Sequence, residues 1–188
     1  EVVLKQVKEM KDLIEANLKL RGNDVNNVKN GAGGIRDIEF LVQFLVMYHG
    51  PSNKSVREPG TLQALKRLHA HRIIGDDEAV ALREDYIFLR VLEHQFQVEG
   101  DQQRHQLPDD PRALAVLARK MGYVSGNIRA DRDRFMAQYR EVTKRTRTTY
   151  TQFFERTIEI YTRKQGAVSL CPGVDTAVLD AHLNRLDS

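Results

Sequence analysis

The segment that most constrains the fold lies between residues 29 and 48, where a glycine-rich turn leads into a very apolar stretch. From Ile35 to Tyr48, apolar residues fall on almost every side of a helix. Such a helix has to be buried in a bundle core or against another domain. A single narrow polar stripe remains, formed by Arg36, Glu39 and Gln43 at positions i, i+3 and i+7. Because buried charge is costly unless it is paired or used, the stripe predicts an ion-pair network or a surface that faces a site.

Helical patterns continue along the rest of the chain, and no clean alternating run predicts a strand. We expect helices over about residues 2–20, 35–48, 61–71, 76 or 77 to 98, 112–121, and 127–150 or further. The predicted fold is therefore all-α, a bundle of about five to seven helices. We expect the bundle domain to span residues 1–165 and a tail, either a short helix or a linker, to span 166–188.

Two of these helices have predicted core faces that the structure can test. The helix from residue 76 or 77 to 98 is expected to bury an aromatic and aliphatic face, formed by Leu82, Tyr86, Leu89, Val91, Leu92 and Phe96. The helix that starts near residue 127 is expected to bury a stripe of period close to 3.5, formed by Ile128, Phe135, Tyr139, Val142 and Thr146.

Composition narrows the class of protein. The chain is 41% hydrophobic and 29% charged, with a net charge of +3, which is typical of a soluble globular domain. No apolar run approaches the roughly 20 residues of a membrane span, and we expect a cytoplasmic protein. Cys171 is the single cysteine and the six histidines lack ligand spacing, so we expect neither an internal disulfide nor a structural zinc site.

The glycine-rich turn has two interpretations. Gly33 and Gly34 precede a helix N-terminus, where backbone N–H groups and the helix dipole favour an anion, and Lys29 and Arg36 could close on a phosphate from either side. Alternatively, the glycines only permit a tight turn before a buried helix. If the first interpretation holds, Arg36 and Lys29 face an active-site cleft, where they hold nucleotide phosphates or the carboxylates of a catalytic domain.

Two acidic residues of the same helix are predicted to have structural roles. Asp37 lies in the first turn, where a negative charge suits the helix dipole. Glu39 is three residues from Arg36, so an intrahelical pair is expected. General acid–base catalysis by either carboxylate has no independent support in the sequence.

Each of two further charged surfaces has more than one interpretation. Arg90, Glu93, His94 and Gln97 form a polar face that either meets the stripe of the 35–48 helix or is solvated. The helix after residue 127 is rich in basic residues, Arg129, Arg132, Arg134, Arg140, Lys144, Arg145 and Arg147. Because acids are interleaved with them, a solvated face or a protein-docking surface is favoured over nucleic-acid binding.

Three segments, in order, carry a resemblance to a known family. They are Gly33-Gly-Ile-Arg-Asp-Ile-Glu-Phe40 with Lys29 and Gly31 before it, Leu82-Arg-Glu-Asp-Tyr-Ile-Phe-Leu-Arg-Val-Leu-Glu93, and Asp101-Gln-Gln-Arg-His-Gln-Leu-Pro108. Over about residues 1–155 the chain resembles the glutamate–ammonia ligase (glutamine synthetase) adenylyltransferase family. The resemblance is to the helical domain that follows the nucleotidyltransferase domain. It makes Asp101 and His105 further candidate site residues, although a turn histidine can also serve only as a hydrogen-bonding strut.

The resemblance implies chemistry that these residues do not supply. A nucleotidyltransferase of this kind uses a Gly-Ser turn and an Asp-x-Asp pair to hold Mg²⁺ against ATP, and the sequence contains no such element. Its Asp-x-Asp, Asp131-Arg-Asp133, lies in a helical pattern that points the two carboxylates to different sides. We therefore expect no catalytic or metal-binding residue here, catalytic carboxylates upstream of Glu1, and no Mg²⁺ or ATP bound to this fragment alone.

The resemblance also implies an activity and partners for the intact enzyme. These are transfer of AMP from ATP to a tyrosine of glutamine synthetase, phosphorolytic removal of that AMP, and control by the PII signalling protein. The form of the two motifs resembles the deadenylylating half. Two other classes stay open: a uridylyltransferase-like enzyme, and an interaction module that binds protein or nucleic acid.

Overall fold

The computed structural model describes residues 26–98 and 105–165 of the 188-residue chain, with the side chains of residues 26–96 and 105–156. These residues form five α-helices and a short 3₁₀ helix at Lys54–Val56. The α-helices are α1 (Ile35–His49), α2 (Thr61–Ala70), α3 (Asp76–Val98), α4 (Pro111–Lys120) and α5 (Ile128–Gln165). The described residues contain no strand, and an isolated antiparallel bridge joins Asn27 to Gln106. The predicted all-α fold is confirmed.

The predicted helix limits agree with these bounds to within one residue, apart from the far end of α5, which continues to Gln165. The predicted helix over residues 2–20 and the predicted tail lie outside the described residues. No helix in the described part of the chain is long and apolar enough to cross a membrane.

The chain divides into two compact units, residues 18–153 and residues 1–17 together with 154–188. Of the second unit the structure describes residues 154–165, the last part of α5. The first unit contains α1 to α4 and most of α5, and every contact discussed below lies within it. The domain boundary after residue 165 stays a prediction.

The core of the first unit is built around α1. Every residue of this helix is buried or half-buried, as its apolar composition predicts. α1 packs against α2 and α3, and α2 packs against α3. Fully buried aliphatic and aromatic side chains join the helices: Ile35, Ile38, Leu41, Leu68, Leu82, Leu89, Leu92, Phe135 and Tyr139. Each such side chain contributes about 1.5–3 kcal/mol by its burial, which fixes α1 firmly in place.

Three predicted core residues are less buried than expected. Val91 is 44% exposed because it lies opposite the face that Leu89 and Leu92 bury. Ile128 is 59% exposed because it is the first residue of α5, about two helical turns before the buried Phe135. Tyr86 is half-buried, since its hydroxyl lies in a polar layer between α1 and α3.

Capping residues fix where α4 and α5 begin. Asp110 accepts a hydrogen bond from the Ala113 N–H, and Pro111 follows at the first helical position. Asn127 accepts from the N–H groups of the first turn of α5. Asp131 is buried and accepts from the Ser125 backbone and hydroxyl, which anchors the loop before α5.

Candidate functional site

The histidine segment lies directly beside the start of the glycine-rich turn. The Val28 N–H donates to the His105 carbonyl at 2.7 Å, and the Leu107 N–H donates to the Asn26 carbonyl at 2.9 Å. These two bonds flank the antiparallel bridge between Asn27 and Gln106. Two motifs that are far apart in sequence are therefore neighbours in the fold.

The same turn brings Lys29 beside the first turn of α1. The Arg36 N–H donates to the Lys29 carbonyl at 3.1 Å, and the Ile35 N–H donates to the Val28 carbonyl at 3.0 Å. Lys29, Arg36 and His105, which come from three different segments, are thus brought together by backbone hydrogen bonds. We call these three residues the basic cluster.

α3 contributes a buried carboxylate to the basic cluster. Glu93 is 3% exposed, and its Oε1 lies 3.8 Å from His105 Nδ1. Its other oxygen, Oε2, is 2.8 Å from Arg90 Nη1. Because a buried carboxylate is stable only when it is paired, Glu93 is held between these two groups. Of the predicted polar face on α3, Arg90 and Glu93 are used here, His94 is exposed, and the side chain of Gln97 lies outside the described residues.

The charges around His105 favour its neutral form. Burial lowers the pKa of His105 below its ordinary value, and the positive charges of Lys29 and Arg36 lower it further, whereas Glu93 acts in the opposite direction. His105 Nδ1 is also a buried atom with no hydrogen-bond partner among the described residues, as is Asn30 Oδ1. Buried polar atoms of this kind are uncommon in folded proteins and require an explanation.

The backbone amides of the glycine-rich turn are occupied within the protein. Six of them donate to a carbonyl or to a carboxylate, at distances between 2.7 and 3.1 Å; the donors are Gly31, Gly33, Gly34, Ile35, Arg36 and Asp37. These six N–H groups are not available to an anion. The geometry gives Gly33 and Gly34 no direct part in such a site.

Close packing explains Gly33 and Gly34 instead. Gly33 has a φ of +74°, and a Cβ at this position would lie 1.9 Å from the Thr143 carbonyl oxygen of α5. A Cβ on Gly34 would lie 2.7 Å from the Val28 carbonyl oxygen. The glycines thus let the turn contact α5 and close on itself.

Asp37 has the capping and pairing role that its position predicts. It is 1% exposed, and its Oδ2 accepts from the Gly33 N–H at 2.7 Å and from Arg147 Nη1 at 3.1 Å. The contact from the third helical residue back to the chain before α1 satisfies a backbone donor at the helix start. Asp37 therefore fastens the turn to α5.

Glu39 joins the polar stripe of α1 to α3. Its Oε1 accepts from the Tyr86 hydroxyl at 2.9 Å, and the guanidinium of Arg90 lies 6.0 Å from the centre of the Tyr86 ring. Burial raises the pKa of Tyr86, a hydrogen bond with Thr61 lowers it, and the negative charge of Glu39 raises it. Tyr86 thus lies between Glu39 of the polar stripe of α1 and Arg90 of the polar face of α3.

Asp85 is the buried charged residue that the sequence reasoning missed. It is 1% exposed and accepts from Arg145 Nε at 3.0 Å and from Thr146 Oγ1 at 3.2 Å. The hydrogen bond to Asp85 raises the pKa of Arg145. A signal was present, because Asp85 falls between Leu82 and Leu89 on the apolar face of α3, where a carboxylate needs a partner.

Two further features bear on the candidate residues. Asp101 lies outside the described residues. Over the ranges that are described, no group of three or more His, Cys, Asp or Glu side chains could hold a metal ion. A cavity of about 340 Å³ lies between the start of α4 and α5, and none of the basic cluster lines it; its lining is Asp109, Pro111, Leu114, Arg132, Asp133, Met136 and Arg140.

A family model matches most of the chain. The model is described as GlnD PII-uridylyltransferase, and the match covers residues 8–154. It therefore includes the glycine-rich turn, α1 to α4, the basic cluster and α5 through its pairs with Asp37 and Asp85.

Several proteins that share one name are similar to the chain. A bifunctional glutamine synthetase adenylyltransferase/adenylyl-removing enzyme of Xanthobacter autotrophicus is 41% identical over 140 residues, which are 72% of this chain and 14% of the relative. Enzymes of that name from Leifsonia xyli (36% identical; 69% of this chain, 12% of the relative) and Stenotrophomonas maltophilia (40%; 65% and 13%) are also similar. The chain spans about one seventh of the length of these relatives.

Proposed function

Since the chain belongs to the family of nucleotidyltransferases represented by the GlnD PII-uridylyltransferase model and the glutamine synthetase adenylyltransferases, we propose that it is the helical domain of such an adenylyltransferase. In the parent enzyme it supports a nucleotidyltransferase domain that lies upstream in the sequence. The parent transfers AMP from ATP to a tyrosine of glutamine synthetase, with release of pyrophosphate. It also removes that AMP with phosphate, which releases ADP and restores the tyrosine hydroxyl.

The proposed metal and nucleotide chemistry is divided between two domains. Mg²⁺ needs closely placed carboxylates, and within the described residues no group of three or more His, Cys, Asp or Glu side chains could hold a metal ion. We propose that the metal is held by catalytic carboxylates of the upstream domain. This chain supplies cationic side chains, which can neutralise phosphoryl charge or fix the catalytic carboxylates in place.

The observation that carries the proposal is the assembly of the basic cluster. Backbone hydrogen bonds hold the turn that carries Lys29 beside His105 and the start of α1, and Arg36 lies on α1, which is fixed by the core. A rigid helix places a cation more accurately than a loop does, which is what phosphoryl transfer demands of its positioning groups. We propose that Lys29 and Arg36 face the active-site cleft of the parent enzyme.

The first test compares this chain with a longer protein that extends upstream through a complete nucleotidyltransferase domain. Both are incubated with ATP, Mg²⁺ and glutamine synthetase, and in the reverse direction with adenylylated synthetase and phosphate. We expect the longer protein alone to add or remove AMP. Activity of the 188-residue chain by itself, or of neither protein, would contradict the proposal.

Arg36 is tested in the longer enzyme by Arg36→Ala. Because it removes a cation that acts on the transferring group or its carboxylates, we expect turnover to fall by about 10²-fold with the Tm unchanged within a few degrees. Lys144→Ala is the matched control, since Lys144 is an exposed cation on α5 outside the basic cluster. Equal turnover in both variants would show that Arg36 has no part in the reaction.

A uridylyltransferase-like parent is the second candidate, and the description of the matching family model favours it. The two candidates differ in nucleotide and in protein target. Under the adenylyltransferase proposal, the longer protein modifies glutamine synthetase with ATP, and PII acts as its regulator. Modification of PII with UTP instead would establish the second candidate.

The remaining proposals concern which half of the parent enzyme contains this domain, where the enzyme is located, and whether the domain binds nucleic acid. We propose that this domain belongs to the deadenylylating half of a cytoplasmic enzyme. Binding to nucleic acid is disfavoured, because Arg145 and Arg147 on the basic helix are engaged with Asp85 and Asp37. Deadenylylation without adenylylation by the longer protein would support the assignment to that half.

A further inference from the structure

Positive charge is concentrated on α4 and the first half of α5. Over residues 109–144, eight Lys and Arg oppose five Asp and Glu, whereas over residues 26–98 the two kinds are equal at nine each. One of the five acids, Asp131, is buried and accepts hydrogen bonds from Ser125, so its charge is not at the surface. This part of the surface therefore has an excess of positive charge, which attracts acidic partners.

The cavity between the start of α4 and α5 lies within this surface. Its apolar lining includes Leu114 of α4 and Met136 of α5, and Arg132 and Arg140 lie on either side of Met136 along α5. Because these three α5 residues are spaced by four, they share one face of the helix, with the two arginines about 12 Å apart along its axis. Every lining residue is exposed or half-buried, so the cavity is a surface groove and not an enclosed ligand pocket. We call it the α4–α5 groove.

The arginines of the α4–α5 groove can take a partner from outside the chain. Arg132 pairs with its neighbour Asp133 at 2.7 Å, and because the Asp133 side chain is 60% exposed, this pair is weak. Arg140 is exposed, and its guanidinium has no hydrogen bond or ion pair in the described part of the chain. Asp109, the acidic residue at the start of α4, is also exposed and likewise has no ion pair there.

We propose that the α4–α5 groove is the docking site of an acidic amphipathic helix that belongs to a separate protein. The helix places an apolar side chain against Leu114 and Met136. On each side of it, a carboxylate meets one of the two arginines, Arg132 and Arg140. This inference goes beyond the proposed function, because it concerns a surface outside the basic cluster and does not depend on which reaction the parent enzyme catalyses.

The spacing of the two arginines favours a helix as the occupant. On a helix, two glutamates at positions i and i+7 lie on one face, about 10.5 Å apart along the axis, which is close to the separation of Arg132 and Arg140. An apolar residue at i+3 lies between them on the same face, as in other helices that bind in grooves. The pattern Glu-x-x-Leu-x-x-x-Glu therefore matches the groove in both spacing and charge.

The composition of the α4–α5 groove favours a transient protein partner. Permanent interfaces resemble a domain core that has been cut in half, whereas charged groups line much of this groove. A positively charged surface also accelerates association with an acidic partner. Nucleic acid fits less well, because Asp109 and Asp133 line the groove and no aromatic side chain in its lining can stack on a base.

The test measures the fluorescence anisotropy of a labelled synthetic peptide titrated with the 188-residue chain. The peptide is an alanine-rich helix that contains the pattern Glu-x-x-Leu-x-x-x-Glu. Two comparison peptides have the same residues in shuffled order, or lysines in place of the glutamates. We expect the patterned peptide alone to bind saturably, with a Kd below about 1 mM. Its affinity should fall several-fold between about 50 mM and about 500 mM NaCl, because salt screens the charges.

Variants of the chain make the result specific. Arg140→Ala should weaken binding of the patterned peptide by about fivefold. Arg134→Ala should leave binding unchanged, because Arg134 is an exposed arginine of α5 that lies opposite Met136 and does not line the groove. Asp109→Asn should strengthen binding, since it removes a negative charge, and Met136→Gln should weaken it. Helical content and Tm are measured for each variant, and Arg140→Gln is used if Arg140→Ala fails to fold.

The proposal is overturned if the patterned peptide does not bind or binds no better than the shuffled one. It is also overturned if Arg140→Ala and Arg134→Ala bind the peptide alike, or if Asp109→Asn weakens binding. Two further outcomes would assign the groove to another occupant and would overturn the proposal as well. A single-stranded DNA oligonucleotide that displaces the peptide would assign the groove to nucleic acid. Loss of peptide binding in the longer protein would assign the groove to another domain of the parent enzyme.

Discussion

Two regions of the bundle use the same kinds of residue in different ways. One is the side where the glycine-rich turn contacts α5, and the other is the basic cluster. Two buried carboxylates that pack against α5 each have a matching cation and a neutral donor: Asp37 has Arg147 and the Gly33 N–H, and Asp85 has Arg145 and Thr146. Beside the basic cluster, the buried carboxylate of Glu93 is shared between Arg90 and His105. The first region gives each carboxylate its own cation, whereas in the second region one carboxylate serves two groups.

This difference concerns how buried charge is compensated. A matched pair such as Asp37 and Arg147 compensates the cost of burying charge, so changing it should alter stability. Glu93 compensates Arg90 and His105 together, while the positive charges of Lys29 and Arg36 oppose protonation of His105. The same residue type, arginine on a helix, therefore has to be interpreted through its partners.

The largest expected effect is on the structural side, from Gly33→Ala. The substituted residue would keep a φ of +74°, and its Cβ would lie 1.9 Å from the Thr143 carbonyl oxygen. Left-handed strain and overpacking together should lower the free energy of unfolding by about 4 kcal/mol, measured by urea denaturation.

Gly122→Ala is the control for that substitution. Gly122 also has a positive φ, +91°, but a Cβ there meets nothing within 4 Å. It should cost only the conformational part, about 1 kcal/mol. Similar losses in the two variants would show that the contact between the turn and α5 is not tight.

The next largest effect is expected from Asp37→Ala. The change leaves Arg147 and the Gly33 N–H without their acceptor in a buried place, and about 3 kcal/mol of stability should be lost. Asp133→Ala breaks the exposed pair with Arg132, where Asp133 is 60% exposed, and should cost less than about 0.5 kcal/mol. Equal losses in urea denaturation would contradict the distinction between buried and exposed pairs.

The fold was predictable because its signals are local. The apolar periodicity of α1 and the break at Gly50-Pro51 each depend on a few neighbouring residues. The exposed positions Val91 and Ile128 were mistaken because a hydrophobic residue near a buried face does not have to lie on it.

The site was only partly predictable because its contacts are long-range. The sequence offered Lys29, Arg36, Asp37 and His105 as candidates, but it could not show that Asp37 bonds to Arg147, which is 110 residues away. Nor could it show that the amides of the glycine-rich turn are occupied. Partner choice depends on how helices pack, and a single sequence does not contain that information locally.

A smaller effect is expected in the layer between the two regions, from Tyr86→Phe. The change removes the hydroxyl that donates to Glu39 at 2.9 Å and should lower stability by about 1 kcal/mol. Tyr123→Phe is the control, because the Tyr123 ring packs against Phe135 at 5.7 Å while its hydroxyl has no partner in the described ranges. A loss in Tyr123→Phe as large as that in Tyr86→Phe would assign the effect to ring packing.

The smallest effect, and the one specific to the basic cluster, is on how stability depends on pH. Because the pKa of His105 is lower in the folded chain than its ordinary value of 6.5, the unfolded chain binds a proton at higher pH than the folded chain does. Stability should therefore decrease as the pH falls through about 6.5 and level off below the folded pKa.

His105→Gln should reduce that decrease, whereas His94→Gln, at an exposed position on α3, should not. Burial also lowers the pKa of His49, so part of the slope should remain. A slope in His105→Gln that equals the wild-type slope would mean that burial and the neighbouring charges do not lower the pKa of His105 in the folded chain.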